Sequence, residues 1–379
     1  MIHKHCRIVI LGAGAMGSAT AYHLARRGER FLLIEQFGLG HDRGSSHGEA
    51  RITRHSYADL NYARLMPEAF LAWRRLEADA SMVLYLRSGG ASLCPSGEDY
   101  VAQVASCLET VGVPFRRMTG SEWNARSPEF RVANDCDVVF EPDAGVLLAS
   151  RAIHAMQELA RVQGGDRTEI WENSPILRID LDADLPTLLT ETHRITADRL
   201  IITAGSWLGR LLPEFASRLR IERQQVLYFR PHPIEPFRLG RFPVFIFKGA
   251  GADNAYYGMP EIFEGGIKIA RHGGEAVDPD LDDRAIRSAY LSEVRTFLQS
   301  TLPALVEAPL IRSEICKYTV AANDDFLVGL HPTRPDVIVA SPCSGHGFKF
   351  SVMIGDVLAD LAMHGEMRHA IPSWQNIKL

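Results

Sequence analysis

The chain has 379 residues, 46% hydrophobic and 23% charged, enough for two or three domains around a large buried core. Its 41 basic and 46 acidic residues give a formal net charge of −5 with no block of Lys and Arg. That balance argues against a nucleic-acid or anionic-membrane partner. No run of about eighteen apolar residues occurs, so no transmembrane helix is expected. The strand signal that begins at Arg7 leaves no room for a signal peptide, and a soluble cytoplasmic protein is the expectation. The terminal Ile377-Lys378-Leu379 ends like a peroxisomal address but lacks the small first residue, and is discounted. Cys6, Cys94, Cys107, Cys136, Cys316 and Cys343 lie far apart without a C-x-x-C pair. They read as reduced thiols, so neither a disulfide framework nor a bound metal is expected.

In chain order, the spacing predicts a strand at Arg7–Leu11, a helix at Gly17–Arg27 and a strand at Phe31–Glu35, together a βαβ unit. A loop rich in Gly, Ser and His follows from Gly38 to Gly48, then helices over Pro67–Ala80 and Glu98–Val111. Short strands begin at Val138, a helix spans Ser150–Val162, and a strand at Arg199–Ala204 runs into Gly205. The middle alternates like an antiparallel sheet: Gln225–Arg230, Pro243–Lys248, Asn254–Gly258 and Gly266–Arg271. A helix over Asp283–Ser300 follows, its N-terminus explaining the acids Asp278, Asp280, Asp282 and Asp283. They lack the glycine and terminal Glu of a calcium loop. Ser206 is no nucleophile elbow, since no G-x-S-x-G surrounds it. The last element is a strand at Val337–Ala340, a glycine turn and a helix starting near His346. Parallel-type units at both ends and an antiparallel middle predict an α/β fold with two interleaved domains.

Gly12 to Gly17 reads Gly-Ala-Gly-Ala-Met-Gly, between an apolar strand and a helix. Gly12 permits a tight turn, Gly14 lets backbone approach a pyrophosphate, and Gly17 lets the helix pack on the strand. The helix N-terminus offers N–H groups to the anion. Glu35, about twenty residues on, can accept from a ribose diol, and its charge disfavours a 2′-phosphate. The turn does not choose between FAD and NAD.

The rest of the chain does. Ser45-Ser46-His47-Gly48-Glu49-Ala50-Arg51-Ile52-Thr53-Arg54-His55 resembles the stretch after the first βαβ unit of monomeric sarcosine oxidases and N-methyltryptophan oxidases. Ile315 to Thr319 is similar to their covalent-flavin segment, and Ser344-Gly345-His346-Gly347-Phe348-Lys349-Phe350 to their C-terminal flavin motif. Tyr256-Tyr257-Gly258, Lys268 and His272 match in the same order, so the resemblance spans essentially the whole chain.

The resemblance implies FAD, linked to the Cys316 thiol through its 8α-methyl, although an isolated Cys is most often a buried free thiol. It implies a discontinuous Rossmann-type FAD-binding domain (1–80, 149–215 and 325–379) and a mostly antiparallel substrate domain (81–148 and 216–324). It places Ala15, Met16, Ser45, His47, Ile176, Gly205, Trp207, Tyr318, Gly345, His346, Gly347 and Phe348 around the flavin nucleotide, with Arg51 beside the ring. Gly345 also faces the substrate. Arg54 and Lys349 would clamp the substrate carboxylate, a planar fork plus a point charge. Lys268 would promote reduction of O2, though its place in the apolar alternation Gly266–Ala270 leaves open whether it points to solvent. Tyr257 and His272 would orient the amine. The implied reaction is oxidation of a secondary amino acid such as sarcosine, with hydride transfer to flavin N5, imine hydrolysis and H2O2 release, by a monomer.

Four features depart from the family pattern: Ala50 replaces a threonine, Ser46 a second histidine, Lys317 an apolar residue, and the Lys248–Asp253 loop is longer. They leave the amine open among sarcosine, N-methyltryptophan, pipecolate and glycated amino acids. They also leave open a dehydrogenase that uses an acceptor other than oxygen.

Overall fold

The computed structural model describes residues 1–249 and 255–367. Most of the Lys248–Asp253 loop, Asn254 and the C-terminal tripeptide lie outside the described residues. The fold is α/β with a large, mostly antiparallel second sheet.

The apolar runs Ile8–Leu11, Phe31–Ile34, Leu200–Ile202 and Val337–Ala340 are buried on both faces, as parallel strands covered on two sides must be. They belong to strands Ile2–Leu11, Phe31–Ile34, His193–Ile202 and Arg334–Ser341 of an eight-stranded sheet. Ile2–Leu11 sits between His193–Ile202 and Phe31–Ile34, parallel to both. Side chains alternate across it. Ile8 and Ile10 pack under helices Ala15–Arg26, Ala149–Gly164 and Ser351–His364, while Val9 and Leu11 join Leu208 and Phe215 on the other face.

The second sheet has nine strands, ordered Glu275–Ala276, Leu219–Phe229, Ile267–Arg271, Ala255–Met259, Val244–Lys248, Gly90–Cys94, Asp137–Glu141 and Arg116–Thr119. The ninth, Leu310–Ala321, pairs with Leu219–Phe229 over its whole length. Every pairing is antiparallel except Val244–Lys248 with Gly90–Cys94. Ala50–Thr53, Gly145–Leu148 and Tyr85–Arg87 form a small third sheet.

Several sequence expectations are corrected. The helix expected from Asp283 begins at Ser288, and its first turn contains no acid. The aspartates before it serve cations instead: Asp278 and Asp280 pair with Arg210, Asp282 with Arg284 and Asp283 with Arg287. Asp280 also accepts from Trp207 Nε1 at 2.7 Å. The helix expected from Pro67 starts seven residues earlier, at Leu60, where the Asp59 carboxylate caps it by accepting from Asn61 N at 2.7 Å. A proline that usually opens a helix here lies inside one. The twelve-residue strand Leu310–Ala321 escapes a hydrophobic-pattern reading because Arg312, Glu314 and Lys317 interrupt it.

Gly355 fixes how closely two helices approach: a Cβ there would lie 2.5 Å from the Ala19 backbone carbon. Gly355→Ala should therefore overpack this contact, at about 1–3 kcal/mol. Thermal unfolding should show a midpoint lowered by several degrees, and an unchanged midpoint would contradict the packing.

Candidate active site

A cavity of about 1010 Å³ runs from the glycine turn to the antiparallel sheet. At the nucleotide end Gly12 adopts φ +99°, and a Cβ there would meet Thr203 O at 2.6 Å. A Cβ on Gly17 would stand 1.8 Å from Gly12 O, so Gly17 serves the packing of helix on turn and does not line the cavity. Glu35 is buried, and its carboxylate accepts from Ala13 N at 2.8 Å and Phe37 N at 3.0 Å. A carboxylate has further lone pairs for a ribose hydroxyl. Ser46, noted as a departure, accepts from Ala15 N at 3.0 Å.

Apart from Gly17, every expected site residue lines this one cavity. Gly12, Gly14, Ala15, Met16, Glu35, Ser45, His47, Arg51, Ile176, Gly205 and Trp207 come from the part of the chain before residue 210. Tyr257, Lys268, His272, Cys316, Tyr318, Gly345, His346, Gly347, Phe348 and Lys349 come from the part after it, and Arg54 joins them.

Arg54 follows the Ala50–Thr53 strand. Its guanidinium lies over the Tyr57 ring at 4.7 Å, and its Nε and Nη1 are buried without a hydrogen-bond partner among the described residues. Its chain neighbours are locked. The fully buried Glu141 carboxylate accepts from His55 N at 2.9 Å, from His55 Nδ1 at 2.6 Å, from Ser56 N at 3.0 Å and from Ser56 Oγ. Burial alone would raise the Glu141 pKa, but these donors outweigh it and hold the group low. The His55 ring also stacks on Phe70 at 4.0 Å.

Lys349 sits in the 3-10 turn Gly347–Phe350 that leads into helix Ser351–His364. Its Nζ donates to Tyr57 Oη at 2.9 Å and to His346 O at 2.8 Å. His346 Nε2 contacts the Asp324 carbonyl at 2.9 Å, which can only accept, so Nε2 carries the proton. Nδ1 is then an acceptor, and Tyr57 donates to it at 3.0 Å. Burial, with Lys349 nearby, pushes the His346 pKa down to about 3, so this imidazole stays neutral. Burial and the adjacent Arg54 charge push the Lys349 pKa well down.

Arg51 donates to Ser45 O at 2.8 Å and His47 O at 2.6 Å, and lies 5.7 Å from the Phe348 ring centroid. His47 Nδ1 is buried without a partner among the described residues. Lys268 does not face solvent. It is 4% exposed, and its Nζ donates to Ala50 O at 3.0 Å. Burial first and Arg51 second lower its pKa to about 7. Cys316 is buried and its thiol pKa is raised by burial, with Arg51 and Lys268 pulling the other way. Tyr257 and Tyr318 lie close enough to influence one another, and burial keeps both phenols protonated. His272 is held neutral by burial. Gly345, at φ +72°, leaves room for His272: a Cβ would lie 2.5 Å from its Cε1.

Sequence reading missed Tyr57, Glu141, Tyr100, Lys248, Thr203 and Gln157. Gln157 Nε2 donates to Ala13 O at 3.1 Å. Only Tyr57 carried a local signal, its place three residues beyond Arg54. The others reach the site through long-range pairing.

A glycine turn at one end of the cavity suits a dinucleotide, and basic side chains without an ion pair among the described residues at the other suit an anionic guest. The chain matches the FAD dependent oxidoreductase family over residues 7–361 and belongs to that family. It is 31% identical over 374 residues to the monomeric sarcosine oxidase of Bacillus sp. (strain B-0618), covering 97% of this chain and 94% of that one. It is 29% identical to N-methyl-L-tryptophan oxidase of Salmonella arizonae, covering 94% of each. The solved structure of NikD, described as an unusual amino acid oxidase essential for nikkomycin biosynthesis, superposes with a TM-score of 0.85 at 20% identity and 99% coverage of both chains. FAD is the family's cofactor, and the cavity fits it: the volume suffices, the turn is open to a pyrophosphate, and polar atoms of His47 and Arg54 stand buried without partners among the described residues.

The buried Lys268 sets a pH dependence. Between about 7 and the ordinary 10.5 the unfolded chain holds a proton that the folded chain lacks, so this group makes stability rise with pH across that window. Lys268→Met removes the buried charge. Its melting temperature should exceed that of the unsubstituted protein most below pH 7, with the gain fading toward pH 10.5. A gain independent of pH would contradict the burial of a titrating amine.

Proposed function

We propose that the protein is an FAD-dependent oxidase of secondary amino acids, sarcosine or another N-methyl amino acid. One observation carries this reading: Lys349 is buried and Arg54 buries its Nε and Nη1 in the same cavity, with no carboxylate paired to either among the described residues. A substrate carboxylate would supply the missing charge through a forked bond to Arg54 and a point contact to Lys349. The Tyr57 hydroxyl, donating to His346, fixes the Lys349 ammonium for that contact.

The neutral His272 and the Tyr257–Tyr318 pair face the amine and orient its lone pair. Bound FAD supplies the redox chemistry, taking two electrons and a hydrogen from the carbon beside nitrogen and passing the electrons to O2. In balance, amine, O2 and water give a carbonyl compound, the shortened amine and H2O2; for an N-methyl amino acid the carbonyl compound is formaldehyde. Lys268, buried beside Ala50, places a cation where reduced oxygen gains negative charge.

We assign Cys316 as the point of covalent attachment, supported by its buried thiol within the cavity and by the neighbouring Arg51 and Lys268 charges, which favour the thiolate. Six unpaired cysteines support a reducing, cytoplasmic setting, and the printed name of the Bacillus relative supports a monomer.

Purified protein should be yellow, keep its flavin through acid precipitation, and release peroxide with N-methyl amino acids in air. Cys316→Ala should release the flavin into the acid supernatant. Arg54→Met should raise KM by roughly ten- to a hundredfold, the loss of a charge-assisted bond. Colourless protein that takes up no FAD would overturn the reading, as would turnover insensitive to Arg54.

A further inference from the structure

The far end of the cavity carries polar groups that the carboxylate clamp does not use. Strands Val244–Lys248 and Ala255–Met259 pair so that Ile246 faces Tyr257 and Lys248 faces Ala255. Opposed residues share a face, and all four line the cavity. Lys248 therefore stands on the substrate side, two residues or about 7 Å along the strand from Ile246, the partner of Tyr257. Its Nζ makes no ion pair within 4.0 Å among the described residues and lies 5.4 Å from the centroid of the Tyr100 ring.

Tyr100 opens helix Tyr100–Val111. Its hydroxyl is buried and has no hydrogen-bond partner among the described residues. Its phenol is close enough to Tyr57, the partner of Lys349, to perturb it electrostatically. Tyr100 thus bridges the space between the Arg54–Lys349 clamp and the Lys248 ammonium. Two acids, Asp59 and Asp324, also line this end. The Asp59 carboxylate is committed to its helix cap, and neither acid lies within ion-pair distance of Lys248.

A buried hydroxyl without a partner carries a desolvation penalty, and the lysine beside it has no counter-ion among the described residues to take up its charge. A carboxylate placed between them would accept from both. Resting on the amino-acid oxidase reading above, we infer that Tyr100 and Lys248 form a second anion subsite, and that the preferred substrate is an N-alkyl amino acid with an acidic side chain. The α-carboxylate occupies Arg54 and Lys349, and the side-chain carboxylate reaches Lys248 and the Tyr100 hydroxyl.

The test is peroxide release by the flavin-loaded enzyme with N-methyl-L-aspartate and N-methyl-L-glutamate, each against its neutral amide, N-methyl-L-asparagine or N-methyl-L-glutamine. At least one acid should exceed its amide by roughly ten- to a hundredfold in kcat/KM, mainly through KM. Lys248→Met should collapse that ratio, Lys248→Arg should retain most of it, and Lys248→Glu should reverse it. Tyr100→Phe should lower it by a smaller factor. Turnover of all four compounds without preference for an acid, or a preference that survives Lys248→Met, overturns the subsite and leaves the oxidase reading standing. No peroxide from these four or from sarcosine removes both.

Discussion

Arg51, Arg54, Lys268 and Lys349 line one cavity, and none forms an ion pair within 4.0 Å among the described residues. Buried charge without a counter-charge is costly, and most proteins avoid it or neutralise it. Here the surroundings hold it in place. Backbone carbonyls of Ser45, His47, Ala50 and His346 absorb part of the positive charge at Arg51, Lys268 and Lys349. Lysines 268 and 349 are drawn toward neutrality, and the two histidines nearest Lys349 and Tyr318 stay uncharged. An anionic guest would supply the charge that this arrangement lacks among the described residues.

The four cations come from three different parts of the architecture, which explains the size of the scaffold. Arg51 lies on, and Arg54 just beyond, the Ala50–Thr53 strand, whose partner is Gly145–Leu148. Lys268 lies on an inner strand of the nine-stranded sheet, opposite Met259. Lys349 rides at the start of the helix whose Gly355 meets Ala19 of the nucleotide helix. Glu141 ties the Arg54 segment to the antiparallel sheet, so clamp and sheet are set by one buried carboxylate. Such positioning keeps reorganisation small when an anion binds.

The sequence made the βαβ unit, the glycine turn and the antiparallel middle legible because each has a strong local period or a turn residue that little else satisfies. The residues clustered around the cavity were legible through motif resemblance, not through pattern: Lys268 reads from its own strand as equally able to face solvent, and only the packed structure shows it buried. What stayed hidden depended on distant partners. Glu141 is an unremarkable acid until its strand brings it to His55, 86 residues away along the chain. Asp278, Asp280, Asp282 and Asp283 resemble a helix start, yet arginines claim them: the distant Arg210 takes the first two, and Arg284 and Arg287 take the others. Tyr100 and Lys248 share no local signal, because their meeting requires a helix N-terminus and the end of an inner strand to converge.

Binding of an unreactive carboxylate tests the central claim most directly. Titrating the flavin-loaded protein with acetate, followed through the visible flavin absorption, should give a saturable perturbation that weakens at least tenfold in Arg54→Met and again in Lys349→Met. The neutral isostere acetamide should produce no comparable response. Equal responses to acetate and acetamide, or acetate affinity indifferent to both substitutions, would show that the cavity is not built around an anionic guest.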